Sequence, residues 1–145
     1  MRVLVRAGGL ALSLCLLSGC SQQAAATDDL IQALTESHSA LASSVLAIQL
    51  YQQQRFTRAA TETVLGDMAG QIADAERALE PVKINSPQLE SDRDAALAAI
   101  HAGVAALLTS RDELEQRGSV GNTAAALDDA GRQVDSLLAE LRGSQ

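Results

Sequence analysis

Tryptophan is absent, and Tyr51 and Phe56 are the only aromatic side chains. Any core must then be aliphatic, made of Leu, Ile, Val and a large complement of Ala, the strongest helix former and a residue that lets helix axes approach closely. Cysteine occurs twice, at Cys15 and Cys20. The chain beyond residue 20 therefore has no thiol for a disulfide or for nucleophilic catalysis, and packing alone must hold it.

Histidine is equally scarce, and neither His38 nor His101 belongs to a Glu-x-x-His pair of the kind that builds di-iron sites in bundles. No metal centre is expected. Cys-x-x-Cys-His is missing, and no spacing of the histidines with Met68 supports a His-Met haem, so no cofactor is expected either. No serine lies in a Gly-x-Ser-x-Gly elbow. The chain reads as a non-enzyme. Glu90, Asp92 and Asp94 could suggest a calcium site, but helix geometry spreads them over different faces, where they complement the helix dipole instead.

Positive charge is in deficit: 11 Lys and Arg face 18 Asp and Glu. A surface with that balance excludes nucleic acid as a partner.

What the chain does have begins at its start. Arg2 and Arg6 precede an uncharged run, Ala7 to Leu17, rich in leucine. About 11 apolar residues are too few to span a bilayer, which takes about 20 in a helix, so the run reads as an export signal. It closes on Leu17-Ser18-Gly19-Cys20. This tetrapeptide resembles the lipobox of bacterial lipoproteins. The resemblance covers only residues 1 to about 21 and implies cleavage between Gly19 and Cys20, with diacylglycerol on the Cys20 sulfur and acylation of the new amino terminus. The partner at this end would be the lipid bilayer. In Gram-negative members of the family an aspartate after the cysteine tends to retain the protein in the inner membrane. Ser21 stands there, so the resemblance favours a lipid-anchored, periplasm-facing outer-membrane protein. Loss of Arg2 and Arg6 with the signal would leave nine basic residues against 18 acidic ones, a charge of −9.

Residues 1–19 are thus expected to be a cleaved signal, 20–27 a lipidated polar tether and 28–142 one helical domain. Thr27 is placed to cap a first helix, with Asp28 and Asp29 at the positive end of its dipole. Leu30, Leu34, Leu41, Val45 and Ile48 recur at helical spacing, and the stripe fails over Gln52 to Arg58. A second stripe, Leu65, Met68, Ile72, Ala75 and Leu79, is rotated from the first, which places a turn between Gln53 and Thr61 although no glycine or proline marks it. One helix over 28–80 is the alternative. Pro81 ends the second helix, and Ser86 with Pro87 opens a third carrying Leu89, Leu97, Ile100, Val104, Leu107 and Leu114. Gly118 suits its end, and Ser119 or Asn122 can cap a fourth helix with Ala124, Leu127, Val134, Leu137, Leu138 and Leu141. Four segments of similar length joined by short connections predict an all-α, antiparallel up-down four-helix bundle. Gly131, on the last inward stripe, marks either a close helix approach or simple tolerance. Arg58 with Glu62, Arg111 with Glu115, Glu113 with Arg117 and Asp128 with Arg132 are spaced to form pairs on exposed faces.

One cluster remains. Tyr51 to Arg58 brings together both aromatics and two arginines, Arg55 and Arg58, at the first corner of the bundle. Helix direction puts that corner away from the anchor, beside the corner at 118–122. Either the aromatics plug the open end of the bundle, or Tyr51, Arg55, Phe56 and Arg58 form a contact surface for an envelope protein or the carboxylates of the cell wall. The functional expectation is an envelope lipoprotein whose bundle is an interaction or structural module. A bundle that binds or senses a small apolar molecule between its alanine-rich helices is the alternative.

Overall fold

The computed structural model describes residues 17–82, 84, 86–117, 120–121 and 123–144, with side chains from Gln23 onward. The export signal up to Leu16, and the capping roles expected of Gly118, Ser119 and Asn122, lie outside the described residues. For Gly19 and Cys20 only the backbone is described.

Four helices, α1 (Leu17–Gln52), α2 (Arg58–Leu79), α3 (Pro87–Arg117) and α4 (Thr123–Gly143), form an all-α four-helix bundle. Each packs on the next and α4 closes against α1; α1 also meets α3 across the diagonal, whereas the backbones of α2 and α4 stay apart among the described residues. The cross-section is therefore a rhombus with α1 and α3 at its short diagonal.

The stripes seen in the sequence become the core. Leu65, Ile72, Ala75 and Leu79 of α2, Ile100, Leu107 and Leu114 of α3, and Leu127, Val134 and Leu138 of α4 are all buried. In α1 the buried set repeats every seven residues: Ala26, Ala33, Ala40 and Ala47 on one line, with Leu34, Leu41 and Ile48 on the next. A seven-residue repeat keeps one seam facing its neighbours along the length of a helix, and alanine on that seam lets them come near. Two buried serines on helices, Ser44 and Ser110, donate to the carbonyls of Ala40 and Ala106 four residues earlier, at 2.8 Å each, so burial leaves neither hydroxyl unpaired. Ser37, fully buried as well, has no hydrogen-bond partner among the described residues.

Two expectations need correction. The segment 20–27 is not an extended tether, because α1 runs through it from Leu17. Gln22, Gln23 and the three alanines that follow are good helix formers, and Ala26 is buried in the core, so propensity and packing both extend the helix. Thr27 accordingly caps nothing; its hydroxyl donates to the Gln23 carbonyl inside the helix, at 3.1 Å. Of the two readings open for Gly131, simple tolerance holds, since a methyl group there would meet nothing within 4 Å. The close approach is at Gly103, where a methyl would lie 3.1 and 3.2 Å from the two δ carbons of Leu41. Gly131 thus costs about 1 kcal/mol of helix propensity relative to alanine with no packing in return.

Pro87 occupies the first turn of α3 as expected, and the Ser86 hydroxyl accepts from the Leu89 amide at 3.2 Å, a helix N-cap. The first corner falls at Gln53–Thr57, inside the expected window, and excludes the single helix over 28–80. Its chemistry explains how it forms without glycine. Gln54 adopts φ 58°, the left-handed conformation. Its amide donates to the Tyr51 carbonyl at 2.9 Å, and the Arg55 amide donates to the Leu50 carbonyl at 2.8 Å, the paired bonds of a Schellman helix end. Thr57 then caps α2, its hydroxyl accepting from the Ala60 amide at 3.2 Å. A β-carbon in the left-handed region is strained, so Gln54→Gly is expected to stabilise the protein by about 1 kcal/mol, read as a raised urea midpoint with unchanged slope.

Candidate functional site

Sequence and packing meet at the end of the bundle where α1 turns into α2 and α3 approaches α4. The two corners are tied side by side. Gln52 Nε2 donates to the Val120 carbonyl at 3.4 Å, and Arg58 donates through one guanidinium nitrogen to the Glu115 carbonyl at 2.7 Å. The latter satisfies a carbonyl in the last turn of α3, which has no partner within its own helix, and places a cation at the negative end of that helix. Arg58 Nε donates to Glu62 at 2.6 Å. That bond holds the Arg58 guanidinium above the ordinary arginine range. Across the corner, the Glu113 carboxylate accepts from the Gly121 amide at 3.2 Å and from the Thr123 hydroxyl at 3.4 Å, fixing the entry to α4.

Between these corners lies a groove of about 500 Å³ lined by Tyr51, Gln52, Gln54, Phe56, Arg58 and Val120. Three of the four residues singled out in the sequence therefore line one concave surface: Tyr51, Phe56 and Arg58. Arg55 stands outside that lining and is exposed. The two aromatics divide their roles. Tyr51 is half-buried and packs on the core, plugging the end of the bundle, whereas Phe56 remains 36% exposed. The other large exposed apolar side chains among the described residues, Leu46 and Leu108, lie on helix flanks outside the groove. Isolated leucines of that kind are ordinary surface features.

Val120, the Glu113 clamp and the Arg58 bond to α3 were not foreseen from the sequence. Val120 stands between two glycines in a polar connection, and nothing local distinguishes it as a groove wall. Arg58 reads as half of an Arg58–Glu62 pair, which it is, but its second contact is with a residue 57 positions away. Of the other three expected pairs, Glu113 with Arg117 and Asp128 with Arg132 form, while Arg111 with Glu115 does not. The Arg111 guanidinium instead reaches toward Gly66 of α2.

His101 Nε2 lies 2.7 Å from Glu76, joining α3 to α2 at a partly exposed position. His38 lies on the far side of α1, against α4, so the two histidines share no site. Among the described residues no group of three or more His, Cys, Asp or Glu is placed to hold a metal ion. No helix among them is long and apolar enough to cross a membrane. Compared with known proteins, the chain matches no family model, no curated protein and no solved structure.

Proposed function

We propose that this protein is a lipid-anchored component of the bacterial envelope whose helical bundle presents its distal end to a partner. Cys20 is the anchor and the outer membrane its site, with the bundle facing the periplasm. Leu17-Ser18-Gly19-Cys20 after an apolar run supports the anchor. The partner surface rests on one observation above all: Phe56 is exposed at the rim of a groove in a chain that has only two aromatic residues and keeps the other against its core. An exposed aromatic beside polar groups is the usual composition of an interaction hot spot.

Continuity of α1 gives the proposal a length. From Cys20 to Gln52 the helix advances about 50 Å at about 1.5 Å per residue, with no flexible tether in between. The partner then meets the tip at a fixed height above the lipid. Because Arg58 is engaged with Glu62 and the α3 terminus, Arg55 is the side chain available to donate to a partner carboxylate.

A photocrosslinking residue at position 56 of the lipidated protein in living cells is expected to give a discrete adduct, and the same residue at Gln88, exposed at the opposite end, none. Arg55→Glu is expected to weaken the position-56 adduct without changing the melting temperature. Adducts from neither position, or equal adducts from both, would remove the tip as the working surface.

A further inference from the structure

Resting on the tip as the working surface, we infer that its partner is a glycan: the groove between the two corners binds a run of N-acetylated sugar units, the chemistry of the bacterial wall, rather than a protein. The groove wall is almost free of available charge. Of the residues that line it, Arg58 alone is ionised, and Glu62 and the Glu115 carbonyl already hold its guanidinium. What remains polar is amide and hydroxyl, from Gln52, Gln54 and Thr57. Gln52 donates to the Val120 carbonyl and keeps its own oxygen to accept, whereas Gln54 makes no side-chain hydrogen bond among the described residues and offers both groups.

An amide both donates and accepts, as do the hydroxyl and acetamido groups of a sugar, so the two sets pair without leaving a charge unmatched. Lys, Glu and Asp are mostly exposed on proteins, and this wall has no free charge to meet them. Tyr51 and Phe56 add aromatic surface, whose negative ring faces attract the polarised C–H groups on the flat side of a pyranose. The groove holds about 500 Å³. A cavity of about 150 Å³ accommodates one six-membered ring, so about three sugar rings fit.

Gln54 is an independent reason. It is the one non-glycine residue with positive φ among the described residues, at 58°. Glycine would close the same corner with less strain, so the turn has no need of the glutamine side chain. That side chain nonetheless stands in the groove lining with Phe56. A residue held in an unfavoured backbone conformation at a groove wall is accounted for by what its side chain binds.

Charge balance selects the same place. With 18 Asp and Glu against 11 Lys and Arg, the surface as a whole repels an anionic polymer. Between Glu36 and Glu62, however, there is no acidic residue, and Arg55, just outside the groove lining, is exposed and without an ion pair among the described residues. A wall glycan carrying carboxylates is therefore repelled least at the first corner.

Tyr51 is the single tyrosine and there is no tryptophan, so intrinsic emission from the purified lipidated protein in detergent micelles reports this groove alone. Chitotriose, three N-acetylglucosamine units, is expected to change that emission saturably. Cellotriose, the same rings without acetamido groups, is expected to bind about threefold to tenfold more weakly, the effect of losing one or two hydrogen bonds. Gln54→Gly is expected to weaken chitotriose by a similar factor, about threefold to tenfold, in a protein whose urea midpoint is no lower than the parent's, so that misfolding cannot explain the loss. In living cells the adduct from a photocrosslinking residue at position 56 is expected to sediment with the wall and to be released by a muramidase. No saturable change, equal affinity for the two saccharides, or unaltered binding in Gln54→Gly would overturn the glycan. A position-56 adduct to a protein without a response to chitotriose would overturn it too, while leaving the tip as the working surface; no adduct and no response would remove both.

Discussion

Gly103→Val is expected to destabilise the bundle by about 1–3 kcal/mol, a loss of about 4–10 °C in melting temperature for a domain of this size. The short diagonal of the bundle runs through this residue, since the position of its missing β-carbon is 3.1 and 3.2 Å from both ends of the Leu41 side chain. Leu41 is 1% exposed and cannot yield without disturbing its neighbours. The somewhat better helix propensity of valine offsets only a few tenths of a kcal/mol. A double-mutant cycle isolates the cause. Leu41→Ala alone leaves a cavity and costs about 2–5 kcal/mol, but in the Gly103→Val background the added methyls occupy part of that space. The double variant is therefore expected to be at least about 1 kcal/mol more stable than the sum of the two single effects predicts. Additivity within about 0.5 kcal/mol would show that the α1–α3 contact does not limit the packing.

Cys20→Ser is expected to abolish incorporation of fatty acid and to leave the signal segment uncleaved, read from alkyne-palmitate labelling and from the mass of the purified chain. The effect is all-or-none because the sulfur is the attachment point, and serine offers none to the thioether chemistry that the lipobox resemblance implies. Each buried methylene contributes about 0.8 kcal/mol, so two or three acyl chains hold a protein at a membrane far more firmly than the single chain that gives only reversible binding. Persistent labelling in Cys20→Ser would place the lipid elsewhere or remove the anchor altogether. The bundle core should be indifferent to the change, with Leu30, Leu34 and Ile100 buried several turns from residue 20.

Much of the architecture is written locally. Leu65, Ile72, Ala75 and Leu79 form a stripe that any helix must bury, and they are buried. Ser86-Pro87 starts a helix because a hydroxyl and a ring with fixed φ satisfy the first turn wherever they occur, and α3 starts there. Polar residues were harder to read. Gln54 looks like an ordinary member of a glutamine run, yet it takes the left-handed position that glycine usually fills. The tertiary pull of two helices packing side by side overrides a propensity of about 1 kcal/mol. Thr57 does carry a legible signal, a threonine followed by a run of helix formers, although neither glycine nor proline stands at the corner.

The tip was legible in part. Composition alone drew attention to Tyr51, Arg55, Phe56 and Arg58, because rare residue types stood together where the apolar stripe fails. Their separate roles were not legible, since those depend on Glu115 and Val120 arriving from a different corner of the chain.

The sequence by itself determined that this chain is helical and which residues make the apolar stripe of each helix, while one helix or two over 28–80 stayed open. Those properties follow from periodicity and from residues within one or two turns of each other. Only the tertiary structure decided which glycine lies under a neighbouring helix, Gly103 rather than Gly131. Both look alike on a helical stripe. What separates them is how the summed side-chain volumes of four helices set the distance between α1 and α3 and between α1 and α4, and that distance is a property of the whole bundle.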